Sequence, residues 1–105
     1  MSLVVNNETI VAIATAPGVG GIGIVRISGL LSAKIAEKIT HKSLSARTTL
    51  FRKFYDSDDS IIDEGVVLFF NNPHSFTGED VIELQGHGGP VVLQRLLNRA
   101  IALGA

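Results

Sequence analysis

The sequence predicts an α+β fold: a mixed β-sheet of about five strands with two helices packed on one face. Three observations lead there. Short runs rich in β-branched and aromatic residues recur at 9–15, 23–28, 48–55, 61–70 and 81–85. Two other stretches, 32–40 and 90–103, bring their apolar residues back every three or four positions, the period of a helix with one buried stripe. The resulting order, ββαβββα, suits one layer of sheet covered by one layer of helix.

Taken in order, residues 9–15 (TIVAIAT) form a buried strand and residues 16–22 a glycine loop. Residues 23–28 (GIVRIS) form a second strand, with Val25 and Ile27 on one face and Ile24, Arg26 and Ser28 on the other. The first helix turns Ile35, Ala36 and Ile39 inward and Lys34, Glu37 and Lys38 outward. Residues 48–55 alternate Leu50, Arg52, Phe54 against Phe51, Lys53, Tyr55, as a half-exposed strand should. The run Asp56-Ser57-Asp58-Asp59-Ser60 is a hairpin turn, and residues 61–70 return as a strand whose end, VVLFF, is expected to be buried on both faces. Asn71-Asn72-Pro73-His74 breaks that strand, and residues 81–85 supply the fifth. The second helix starts with Pro90 at its first position. It carries Val92, Leu93, Leu96, Leu97, Ala100 and Ile101 on its apolar stripe and is followed by Gly104 as a C-terminal cap.

With 105 residues the chain is a single domain, large enough to bury a core. Nine Lys and Arg against ten Asp and Glu give a net charge of −1, so the whole lacks the basic excess of a nucleic-acid-binding domain. The absence of cysteine excludes disulfides, thiolate metal sites and a cysteine nucleophile from these residues. The first residues lack the basic stretch followed by an apolar run that marks a signal peptide, and no apolar run approaches the ~18 residues a bilayer requires. A soluble, cytoplasmic chain without membrane attachment is expected.

Gly18, Gly20 and Gly23 match the spacing G-x-G-x-x-G, but a dinucleotide fingerprint needs a helix directly behind its glycines, and Ile24-Val25-Arg26-Ile27 is strand-like. A glycine turn that admits a ligand or a second backbone is the better reading. No P-loop motif is present. His41, His74 and His87 show no metal-ligand spacing, and only His87 lies in a conspicuous loop. Arg26, between Val25 and Ile27, must find a partner: either a structural carboxylate or an anionic or carbonyl-bearing ligand. Glu83, between Ile82 and Leu84, is either an outward-facing strand residue or a carboxylate able to receive two parallel hydrogen bonds from an amidine-like edge. Glu79 and Asp80 are expected to satisfy turn amides.

The stretches PGxGGIGIxRISG, residues 17–29, and NPxSFTGEDVxELQGHGGP, residues 72–90, closely resemble the N-terminal domain of the MnmE (TrmE) class of tRNA-modification GTPases. The resemblance runs over residues 9–105, with residues 1–8 as a lead-in, and is weakest over 33–60. It implies a tetrahydrofolate-binding-domain-like fold that drives homodimerisation. It also implies a 5-formyl-tetrahydrofolate cofactor, used in C5 modification of the wobble uridine of tRNA together with the flavoprotein MnmG (GidA). Carried over residue by residue, Arg26 and Glu83 become the folate contacts, with Gly20, Gly21 and His87 more loosely attached to the same pocket. In the family the folate domain continues into a segment bearing a further folate-contacting lysine. A helical domain and a GTPase domain, which binds GTP with Mg and K ions, follow. The resemblance therefore leads us to expect a C-terminally incomplete folate domain that by itself neither hydrolyses GTP nor modifies tRNA. It meets tRNA only through the full complex. The alternative expectation is a pure oligomerisation module that binds no ligand.

Overall fold

The computed structural model describes residues 8–14, 21–44, 49–70 and 80–105. Gly18, Gly20, His74, Glu79 and the 71–79 turn lie outside the described residues, and so does their part in the expected site.

The elements follow the expected order: β1 (Ile10–Ile13), β2 (Gly23–Ser28), α1 (Ser32–Thr40), β3 (Thr49–Tyr55), β4 (Ile61–Phe70), β5 (Val81–Gly86) and α2 (Pro90–Ala102). They make one five-stranded sheet in the order β1-β2-β5-β4-β3 with two helices, and the α+β class holds. Every pairing in the sheet is antiparallel, where a mixed sheet was expected. The last strand enters between β2 and β4 and runs against both, so no crossover in the parallel sense arises.

Register decides which residues meet. Val25 pairs with Leu84 and Leu84 with Val67, while Ile27 pairs with Ile82 and Ile82 with Phe69. These rows face the helices and join Phe54, Ile35, Ala36, Ile39, Leu93, Leu96 and Ala100 in one core. Both helices thus cover the same side. A nine-residue helix is marginal alone. Full burial of Ile35 and Ile39 contributes roughly 3–6 kcal/mol as an upper estimate, so packing rather than propensity holds α1. Its N-terminal end is tied by tertiary bonds: the Leu31 amide donates to Thr9 Oγ1 (3.0 Å), and the Ser32 hydroxyl to the Asp80 carbonyl (3.2 Å). His41 closes it in the left-handed region at φ 59°.

The strand end VVLFF departs from expectation. Val67 is buried, but Val66, Leu68 and Phe70 are half-buried because among the described residues no second layer covers the far side of the sheet, and Phe69, on the helix side, is half-buried at the margin of the core. On α2, Leu93, Leu96 and Ala100 are buried, whereas Ile101, placed on the apolar stripe, is 52% exposed. Arg95 and Arg99, off the apolar stripe of α2, reach across to the β3–β4 hairpin. Arg95 bonds Asp56 at 2.9 Å and Arg99 the Tyr55 carbonyl at 3.4 Å.

Candidate functional site

The face of the sheet turned away from the described helices carries the two strand-embedded charges. Arg26 on β2 stands directly opposite Glu83 on β5, with Ala12 and Leu68 completing the row on either side. Arg26 and Glu83 meet in one contact: Arg26 Nε and Nη2 both donate to Glu83 Oε2, at 3.0 and 2.6 Å. The second carboxylate oxygen, Oε1, accepts from Gln85 Nε2 at 3.1 Å. Glu83 is buried and Arg26 is partly exposed. Glu83 therefore points away from the helices yet is buried rather than solvated. An ionised carboxylate so far from water is held by charge-assisted bonds from its cross-strand partner.

Gln85 leads from this pair into a neighbouring cleft of about 230 Å³, whose walls also include Gly21, Ile22, Phe51, Val66 and His87. The cleft thereby unites Gly21 and His87, two of the looser expected residues, beside the pair. Its floor depends on Gly65, also in the lining: a Cβ there would collide with the Gln85 carbonyl oxygen. Only a residue without a side chain lets β4 and β5 close at this point.

At the rim, β5 leaves the ladder and Asp63 takes over the work of the missing strand bonds. One Asp63 oxygen accepts the His87 backbone N–H and the other meets His87 Nδ1, both at 2.7 Å. Gly86 leaves room for that carboxylate, which a Cβ would strike. The Asp63 bond raises the His87 pKa above its ordinary 6.5, with Glu64 adding to the effect. For Asp63 itself burial opposes ionisation. The His87 amide, the His87 ring and the Glu64 amide outweigh it and hold the carboxyl below 3.8. The imidazole is thus fixed through Nδ1, and its Nε2 edge is free to turn to a ligand as donor when protonated or acceptor when neutral.

Asp63 and Gln85 escaped the sequence reading. Asp63 sits within a continuous strand, and its partner lies 24 positions away, so only the register of β4 against β5 reveals the contact. His41 belongs elsewhere: it stacks on Tyr55 at 4.0 Å and lies 3.5 Å from Asp59. Asp80 serves the turn through its carbonyl, which accepts from the Gly29 amide at 2.9 Å. Among the described residues no group of three or more His, Cys, Asp or Glu is placed to hold a metal ion. No described helix is long and apolar enough to cross a membrane.

Residues 9–105 match the family described as the GTP-binding protein TrmE N-terminus. The tRNA modification GTPase MnmE of Acinetobacter baumannii (strain ATCC 17978) is 61% identical over 101 residues, which cover 95% of this chain and 22% of that protein. The proteins of the same name from Hydrogenovibrio crunogenus and Vibrio cholerae are 57% and 54% identical over 94% and 91% of this chain. The chain spans about a fifth of the length of these curated relatives. A match over nearly every described element, with Arg26, Glu83 and the glycine-histidine turn gathered at one end of the open sheet, leads to one conclusion: the chain belongs to the TrmE N-terminal family, as an N-terminal domain of the MnmE class of tRNA modification GTPases.

Proposed function

We propose that this domain binds a reduced one-carbon folate of the 5-formyl-tetrahydrofolate class and pairs with a second copy of itself. It would do so within a cytoplasmic protein that modifies the wobble uridine of tRNA together with MnmG. The observation that carries the reading is the state of Glu83: a buried carboxylate on the face away from the described helices, oriented by Arg26 and Gln85 beside a glycine-rimmed cleft. A carboxylate held this way can exchange the Gln85 amide for the paired N–H donors of a pterin edge without moving its own backbone. The cleft, at about 230 Å³, is below the ~300–1,000 Å³ of sites that enclose a whole drug-sized ligand, so it suits the ring head rather than the entire folate. The GTP, Mg and K chemistry of the class belongs to a GTPase domain outside these residues.

Isothermal titration of the chain with 5-formyl-tetrahydrofolate tests this. Saturable binding that disappears in Glu83→Ala, with unchanged mass in solution, is the expected outcome. Binding that survives the substitution would remove Glu83 from the site. A second reading, an oligomerisation module without ligand, draws on the exposed apolar residues of the open face, Ile10 and Phe51. It requires that Phe51→Ser change the mass in solution while no folate binds to either form.

A further inference from the structure

Two titratable side chains line the cleft beyond Glu83, namely Glu64 and His87. His87 is anchored on one side and open on the other. Its backbone N–H donates to one Asp63 oxygen at 2.7 Å, and that bond serves the end of β5. The second contact, from Nδ1 to the other oxygen at 2.7 Å, adds nothing to the ladder and fixes the ring. The side chain nevertheless stays 74% exposed, so the contact orients the imidazole without burying it. Around it both strands are stripped of side chains: a Cβ on Gly86 would strike the Asp63 carboxylate, and one on Gly65 the Gln85 carbonyl.

The tautomer follows from the partner. Asp63 is held ionised and can only accept, so the proton between the two groups belongs to Nδ1. From Nε2, neutral His87 therefore turns a lone pair outward, and protonated His87 an N–H. On β4, Asp63 and Glu64 both favour the imidazolium. Across the sheet, Glu83 of β5 is engaged by Arg26 of β2 and by Gln85. The first turn of α2 carries no acid, and Arg95 farther along that helix is held at Asp56.

We propose that His87 reads the one-carbon unit of the folate: its Nε2–H donates to the oxygen of a formyl group on N5 while Glu83 takes the amidine edge, which selects formyl- over methyl-substituted reduced folates. The proposal rests on the folate reading above and adds to it a residue that sets selectivity. Glu83 and His87 stand four residues apart. That is roughly 13 Å of extended chain, so the amidine edge and the far side of a bicyclic ring can be met at once. A methyl group offers no acceptor, and a charged donor facing it would give up its water without return.

Calorimetric titration of the chain with 5-formyl- and 5-methyl-tetrahydrofolate between about pH 6.5 and 9, where neither ligand changes charge, tests this. At the lower end the formyl compound should bind roughly tenfold tighter, the gain from one charge-assisted hydrogen bond. That preference should hold up to the pKa of His87, followed by its imidazole resonances, and decline above it, while the methyl compound does not weaken. His87→Ala, at an exposed position that leaves the core untouched, should bind both folates alike at every pH. Glu64→Gln should move the decline to lower pH without removing the preference. If neither folate binds, or if Glu83→Ala leaves both titrations unchanged, the folate reading falls and the selectivity role with it. If both folates bind through Glu83 but the preference is flat with pH or survives His87→Ala, the selectivity role alone is overturned.

Discussion

At Glu83 the carboxylate has lost nine-tenths of its contact with water while the Arg26 guanidinium keeps about a third, so each single substitution leaves a different orphan behind. Arg26→Ala strands a buried anion with one neutral amide as company. The expected cost is about 2–3 kcal/mol in denaturant unfolding, below the value for a fully buried pair because Arg26 is partly screened. Glu83→Gln leaves a cation that water can reach and should cost about 1 kcal/mol or less. Equal losses would contradict the burial asymmetry. At the cleft rim, Asp63→Asn should return the His87 pKa toward 6.5, as followed by the imidazole resonances in NMR. The sign of its pH effect follows from the two shifts. The raised His87 contributes fully below about 6.5 and loses its contribution as pH rises through its higher folded value. The lowered Asp63 contributes above about 3.8 and loses its share as pH falls below that. The difference in Tm between the native chain and Asp63→Asn should therefore be widest between about pH 4 and 6.5 and narrow above, leaving the share due to the His87 backbone bond. Arg26 and Glu83 were legible as charges wedged between apolar strand residues. That each is the other's partner was not, because a separation of 57 positions carries no register information.

The strands and helices themselves were visible in the sequence to within a residue or two, since each has a clear period: 23–28 and 61–70 emerge as read, and the fifth strand gains only Gly86. Burial was harder to see. A run such as Val66-Val67-Leu68-Phe69-Phe70 looks the same whether a second layer covers it or not, and the stripe of α2 could not show that Ile101 lies beyond the sheet's reach. The close approach of β4 to β5 gives the element-level prediction. Gly65→Ala drives a methyl group into the Gln85 carbonyl, a backbone atom that cannot swing aside. It should cost about 3 kcal/mol or more, at the upper end for overpacking, and should disturb the amide resonances of Gln85 and Gly86 first. Leu96→Ala, by contrast, empties a fully buried site under α2 and should cost 2–5 kcal/mol with no local effect at the cleft.

For the molecule as a whole, the described helices line one face of the sheet and the Arg26–Glu83 pair lies on the other. That pair was not apparent from totals of charge or hydropathy, which average over the whole chain. The strand order has a consequence for the birth of the chain. β1 and β2 can pair early, as can β3 and β4, but the two pairs share no ladder; β5 joins them by bonding β2 on one side and β4 on the other. During synthesis the sheet cannot close until residue 86 has left the ribosome: the apolar row of β2 waits for about three to eleven seconds while the chain grows by the ~57 residues that separate Arg26 from Glu83, and that of β4 for about one to three seconds over the ~15 residues from Leu68 to Glu83. β5 is thus the keystone of assembly as well as of the site, and the segment whose late arrival would most readily send a nascent chain into the hands of a chaperone.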